Sequence, residues 1–316
     1  MILCVAASPS IDKLFEVDVV QVGRIHRPRS FVQVPGGKGL NVARAAHGLG
    51  ADVMATGILG GHAGRWIEEA LAGEGVPARF AWGEGETRAS LSVADDTDRD
   101  LTEFYERGPD IGLDGWAGLE AVVQELLPGA SWLTISGNLP VGAPPDGYAR
   151  LIAAASDAAV PVALDSRDEA LALGVKAGPH LVKVNAEEGA AFLGRAIETL
   201  VEARDAAIKI LRTTGSGDRI AIVTRGSDGA VVATGAGGVL RGRLYTKGPY
   251  PVGSGDAFLA GFVTALDAGE SPRQALCLAL GAGTANAETP GAGRLDPERA
   301  KELASRAEVD QIAMPD

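Results

Sequence analysis

The sequence predicts an α/β fold built on a mostly parallel sheet, and three observations predict it. From Gly115 onward helical and strand-like segments alternate, with helices over 119–127 and 146–155 and strands over 132–136, 161–165 and 180–185. That alternation is the pattern of consecutive βαβ units. A glycine-rich turn, Gly253-Ser254-Gly255, runs into Asp256 and then into Phe258, Leu259, Phe262, Val263 and Leu266 at helical spacing, so Asp256 stands at a helix start. Residues 15–34 and 88–93 alternate apolar and polar in short bursts, which suits the strands of a small separate sheet better than a core element. With 316 residues, 46% hydrophobic and 22% charged, the chain is long enough for a large core and reads as an ordinary soluble α/β protein.

The first strand is 1–7, apolar and without a basic leader, so it reads as structure and not as a signal. The turn Ser8-Pro9-Ser10-Ile11-Asp12 leaves Asp12 just past that strand's carboxyl end, where ligands bind in open α/β sheets. Asp12 reads equally well as a turn-stabilising residue. Arg24, His26, Arg27 and Arg29 interrupt the first alternating stretch and read as a solvated basic face.

Pro35-Gly36-Gly37-Lys38-Gly39-Leu40-Asn41-Val42 then opens a helix with Leu40, Ala43, Ala46 and Leu49 on one face. It is not a Walker A loop, because Gly39 follows Lys38 where Ser or Thr is required, and it does not fit the dinucleotide fingerprint. It offers close backbone approach, a point charge at Lys38 and an amide at Asn41, a set suited to a polyhydroxylated anion. A plain helix start with a solvated lysine is the competing reading. Residues 52–60 predict a strand and 65–74 a helix with Trp66, Ile67, Ala70 and Leu71 inward. Gly85-Glu86-Thr87-Arg88 opens the second alternating stretch. On its residues alone Arg88 is a surface strand arginine.

Farther on, Asn185 ends a strand and Glu188 lies one turn into the next helix, so both face one point or simply form a capping box. A strand over 219–224 turns through Gly226 and Gly229 into Val231-Val232, a hairpin signal. Helices follow over 271–287, with Asn286 near its end, and 296–304. The N–H groups of Gly253, Ser254 and Gly255 belong to the unpaired donors of a helix start and make an anion site. Asp256 beside it is placed to take a proton from a hydroxyl, or else serves as an N-cap. The same tetrapeptide, Gly215-Ser216-Gly217-Asp218, precedes a strand-like run and reads as an ordinary turn.

Composition excludes several classes. A net charge of −12 argues against nucleic-acid or anionic-membrane partners, which require a basic face. Cys4 falls in a predicted buried strand and Cys277 in a predicted buried helix, so no disulfide framework is implied and a cytoplasmic setting follows. His26, His47, His62 and His180 lack metal-ligand spacing.

Val252-Gly253-Ser254-Gly255-Asp256 followed by Ala257-Phe258-Leu259-Ala260-Gly261-Phe262, taken with Gly36-Gly37-Lys38-Gly39-Leu40-Asn41-Val42, resembles the PfkB (ribokinase-like) carbohydrate kinases. Thr87-Arg88, Thr102-Glu103 and Gly108-Pro109-Asp110 resemble its branch of tagatose-6-phosphate kinase and 1-phosphofructokinase. The resemblance implies one kinase domain over 1–316, a ribokinase-like three-layer α/β/α fold with a small β-sheet lid from roughly 13–35 and 86–107. It implies ATP and Mg2+ as cofactors, a small sugar phosphate as substrate, and a homodimer through the lid.

It also assigns roles. Asp256 is the base, beside the amides of Gly253, Ser254 and Gly255. Asp12, Gly37 and Asn41 hold sugar hydroxyls, while Lys38 and Arg88 bind the sugar's own phosphate. Lys183, Asn185, Thr224, Gly226 and Gly229 serve the nucleotide, Asn286 lines the adenine pocket, and Asn185 and Glu188 hold magnesium through water. The sequence departs from the family pattern at Ser8, Asn138 and Val184. A kinase for an unphosphorylated sugar or nucleoside, and a non-catalytic sugar-phosphate sensor, are the alternatives.

Overall fold

A computed structural model describes residues 1–95 and 101–313. Positions 96–100, inside the second expected lid segment, lie outside the described residues. In chain order the strands are β1 (Ile2–Ala6), β2 (Ser10–Val17), β3 (Ser30–Gly36), β4 (Val53–Leu59), β5 (Ala81–Trp82), β6 (Ala89–Asp95) and β7 (Leu101–Tyr105). They continue as β8 (Trp132–Ser136), β9 (Val162–Asp165), β10 (Leu181–Asn185), β11 (Ile220–Thr224), β12 (Ala230–Thr234), β13 (Val239–Arg243) and β14 (Glu308–Ile312). The helices are α1 (Lys38–Gly48), α2 (Gly61–Gly73), α3 (Gly112–Leu126), α4 (Gly147–Asp157), α5 (Asp168–Lys176), α6 (Ala186–Leu193), α7 (Leu200–Thr213), α8 (Ser254–Asp267), α9 (Pro272–Glu288) and α10 (Pro297–Ser305).

The large sheet runs β14-β13-β12-β11-β10-β9-β8-β1-β4-β5. It is parallel from β5 to β11 and antiparallel through β12, β13 and β14. β1 lies inside it, paired to β4 and β8, and its sequence shows why. Ile2, Cys4 and Ala6 belong to one apolar core and Leu3 and Val5 to the other. A strand buried on both faces must be apolar throughout. The first core takes in α1, α8 and α9 and the second α3, α4 and α7, which makes three layers, helices on either side of the sheet, as the sequence predicted. Because the strands from β5 to β11 are parallel, Ala6, Leu59, Ser136, Asp165, Asn185 and Thr224 all end on one edge.

The small sheet runs β3-β2-β6-β7. β2 pairs antiparallel with β3 and parallel with β6, in the register Asp12↔Val34 and Asp12↔Ser90. Asp12, Leu14 and Glu16 therefore share one face of this sheet, and Phe15, Phe31, Leu91, Val93 and Phe104 share the other.

Several local expectations are corrected. α2 begins at Gly61, not Arg65, because Glu86 accepts the Ala63 N–H and caps the first turn from a distant loop. α3 starts at Gly112, ahead of its first predicted residue. Cys277, expected in a buried helix, lies on α9 but is only half-buried, lining the groove beside Thr264 and Ala304. No helix among the described residues is long and apolar enough to cross a membrane.

Candidate active site

The site grows from the start of α8. Gly253 is the N-cap residue at φ +81°, and a β-carbon there would stand 2.8 Å from that of Ala292, so only glycine fits the turn. Ser254 N–H donates to Pro251 O at 3.1 Å. The N–H groups of Gly255 and Asp256 have no backbone acceptor among the described residues, which leaves two aligned donors at the positive end of the helix dipole. Asn286, 0% exposed, braces this turn by donating from Nδ2 to Val252 O at 2.9 Å and accepting the Gly293 N–H at 2.8 Å. Both ends of its amide are thus engaged by this turn and by Gly293.

Asp256 is not the cap. It lies in the first turn, buried, and accepts from Asn41 Nδ2 at 2.9 Å. Burial first, and then the neighbouring Asp165 carboxylate, push its pKa up to about 6, against the pull of Lys38, Lys183 and the Asn41 amide. Asn41 Oδ1, also buried, has no hydrogen-bond partner among the described residues. An unpartnered buried acceptor beside a carboxylate is a seat for a hydroxyl.

Asn41 arrives there because α1 starts against β1. A β-carbon on Gly39 would fall 2.3 Å from Val5 O, so the helix can approach only through glycine. Lys38, the first residue of α1, donates from Nζ to Asp165 Oδ1 and Glu188 Oε1, each at 3.1 Å. The Asp165 carboxylate, chiefly, raises the Lys38 pKa well above its ordinary value. Lys183 Nζ holds the other Asp165 oxygen at 2.6 Å and would lie 3.1 Å from a β-carbon on Gly255. Burial works against ionising Asp165, but the Lys183 and Lys38 ammonium groups outweigh it and hold its carboxyl below the usual range. A fully buried carboxylate clamped between two lysines thus neighbours Asp256, and one of those lysines reaches the start of α8.

Asp165 is the residue that the sequence reading missed. Its signal was available: a carboxylate closing the apolar strand Val162–Asp165, on the edge where ligands gather.

Asn185 and Glu188 form a reciprocal capping box, with both bonds at 2.8 Å. Glu188 Oε1 meanwhile faces Lys38, so the capping reading and a place in the site hold together. Thr224 Oγ1 donates to Val184 O at 3.4 Å, beside the turn that carries Gly226 and Gly229.

A separate group forms around Asp12. Ser10 Oγ donates to Asp12 Oδ1 at 2.5 Å and Gly37 N–H to Oδ2 at 3.3 Å. Packed atoms desolvate this carboxyl and raise its pKa, against Ser10, Gly37 and Arg88. Arg88 donates from Nη1 to Ser90 Oγ at 2.9 Å and from Nε to Ser8 Oγ at 3.3 Å, and opens on a crevice lined by Ser8, Gly108 and Pro109. Lys38 and Arg88 therefore belong to different clusters, Lys38 with Asp165 and Glu188, Arg88 with Asp12. The second tetrapeptide, Gly215–Asp218, is exposed and precedes β11, on the opposite edge of the sheet.

A family model described as pfkB family carbohydrate kinase matches residues 6–299. Among solved structures, phosphofructokinase-2 from Escherichia coli in complex with substrates and products is similar at 27% identity and a TM-score of 0.89, covering 96% of this chain and 98% of that one. A Thermotoga maritima protein titled "possible 1-phosphofructokinase" shares the fold at 24% identity and a TM-score of 0.86, covering 99% and 100%.

Proposed function

Because the chain belongs to the pfkB family of carbohydrate kinases, and so is an ATP-dependent sugar kinase, we propose that its acceptor is a ketohexose phosphate. Tagatose 6-phosphate, fructose 1-phosphate and fructose 6-phosphate are the candidates, each giving a hexose bisphosphate. The observation that carries this reading is Arg88, standing beside Asp12 and opening on a crevice lined by Ser8, Gly108 and Pro109, together with Asp256, buried at the α8 amides and bonded to Asn41, whose own oxygen is open for a hydroxyl.

The roles follow from charge and position. The acceptor hydroxyl lies between Asn41 and Asp256, and Asp256 takes its proton. The amides of Gly255 and Asp256, with the turn Gly253-Ser254, carry the negative charge of the transferring phosphoryl group. Lys38 and Lys183, fixed by Asp165, add positive charge at the same point. Arg88 binds the acceptor's phosphate beside Asp12 and Gly37, which hold sugar hydroxyls.

Lys183, Thr224, Gly226 and Gly229 serve the nucleotide, with Asn286 supporting the turn beneath its phosphates. Each Glu188 oxygen accepts one hydrogen bond and keeps a further lone pair, which suits holding Mg2+ through water together with Asn185. When bound, that ion neutralises triphosphate charge. The small sheet serves as a lid that excludes water from transfer. Its outer face, with Phe31 at 63% and Phe104 at 60% exposure, supports a homodimer through the lid, and two free thiols support a cytoplasmic setting. The phosphofructokinase-2 of Escherichia coli has a tetrameric inhibited form.

ADP release is to be measured with the three ketohexose phosphates and with ribose, fructose and adenosine. Turnover confined to a phosphorylated ketose is expected. Preference for an unphosphorylated acceptor overturns the substrate class, and no release with any acceptor revives the sensor reading.

A further inference from the structure

The chain leading into the transfer turn is anchored on one side to α9. Tyr250 N–H donates to Ala287 O at 2.9 Å, and a β-carbon on Gly248 would fall 2.0 Å from the same oxygen. Pro251 fixes its own φ, and Val252 O is taken by Asn286. This stretch has little freedom on that side. On the other side, the Tyr250 hydroxyl donates to Glu16 Oε1 at 2.8 Å, on β2 of the small sheet. Glu16 is held in turn, because Ser30 Oγ on β3 donates to Oε2 at 2.6 Å. The bond to Glu16, first, raises the Tyr250 pKa, so the phenol keeps its proton as donor.

Glu16 lies on the same face of β2 as Asp12, four residues along, about 13 Å on an extended strand. One strand therefore carries Asp12 at one end and the acceptor for Tyr250 at the other. Tyr250 stands three residues before Gly253.

We propose that Tyr250 is a positioning residue, whose bond to Glu16 registers the phosphoryl-transfer turn against the sugar-bearing strand and so favours transfer to sugar over transfer to water. This rests on the kinase reading above. Without the bond, β2 and the turn move independently. The sugar hydroxyl is then held less well against Asp256, while ATP, which also has Lys183, Thr224 and the turn of Gly226 and Gly229, is little affected.

The test compares Tyr250→Phe, Glu16→Gln, Glu16→Leu and the double variant Tyr250→Phe/Glu16→Leu in the full chain. Tyr250→Phe should lower kcat/KM for the sugar phosphate about tenfold, the loss expected for a hydrogen bond to a carboxylate. KM for ATP should stay near wild type, and ADP release should exceed sugar phosphorylated. Glu16→Gln keeps one acceptor oxygen without the charge and should lose less than Glu16→Leu, and the double variant should be no worse than its worse parent.

Equal losses for ATP and sugar with tight coupling, additive losses in the double variant, or a Tyr250→Phe enzyme indistinguishable from wild type would each overturn the proposal. Hydrogen exchange over residues 10–17 in the ligand-free chain gives a readout independent of catalysis. Faster exchange in Tyr250→Phe supports the contact and unchanged exchange overturns it. If wild type phosphorylates no sugar, the kinase reading fails while the exchange comparison still decides the contact.

Discussion

Asp256 combines two costs that a structural residue would not carry, since it is buried and lies near another carboxylate. As a base it must be ionised, so kcat/KM should be flat above about pH 6 and fall tenfold per pH unit below it. A pH profile without that limb would remove Asp256 from the base position. Asp256→Asn should lower kcat by roughly 10³-fold while ATP binding, read by calorimetry, persists.

The same substitution should stabilise the fold. A pKa raised from 3.8 to about 6 means that the native state loses stability as pH rises through that window, by about 3 kcal/mol. A neutral amide at this position has no such loss, so the variant should melt a few degrees higher at pH 8 and near wild type at pH 4. Arg88→Ala should raise KM for the sugar phosphate far more than KM for ATP; equal effects would count against its role. At this scale the glycine-flanked Asp256 and Asn41 were legible because backbone approach demands glycine near them. For Asp165 only its place at a strand end was legible; its clamp by Lys38 and Lys183 was not, since those partners lie 127 and 18 residues away.

The element that matters most is the first turn of α8, and its geometry depends on residues from α9 and the 290s. Gly253→Ala would have to adopt φ +81° and displace Ala292. Strain of about 1–3 kcal/mol is expected, with kcat lowered more than tenfold as the amides turn away. Differential scanning and steady-state kinetics test this, and wild-type kcat in the variant would show that the turn tolerates other conformations. Helical periodicity made α8 and α9 plain from the sequence. The start of α2 was hidden because its cap, Glu86, arrives from another segment. α5, α7, β13 and β14 went unassigned, although Thr199 and Glu202 form a capping box at the start of α7. In α5, β13 and β14 the apolar runs are short and broken by charge.

Across the whole molecule, the alternation of strands and helices was enough to foresee a parallel sheet with helices on both faces, since few other arrangements bury such strands. Strand order was not legible, because pairing β1 with both β4 and β8 is a long-range choice that periodicity does not encode. The register of the small sheet gathers Phe15, Phe31, Leu91, Val93 and Phe104 on the face opposite Asp12. Phe15 and Phe31 meet edge to face at 6.2 Å. Such a stripe on the outer face of the small sheet predicts self-association. Light scattering should give a dimer for the wild type and a monomer for Phe31→Glu with Phe104→Lys, and an unchanged mass would move the interface elsewhere.

Cys4, 0% exposed on a strand paired on both sides within the large sheet and with its thiol pushed up to about 12, supplies a natural clock. A thiol reagent should modify the half-buried Cys277 at once. It should reach Cys4 only when β1 parts from its neighbours, so the slower labelling phase times the opening of the entire scaffold. Bound ATP should lengthen that interval.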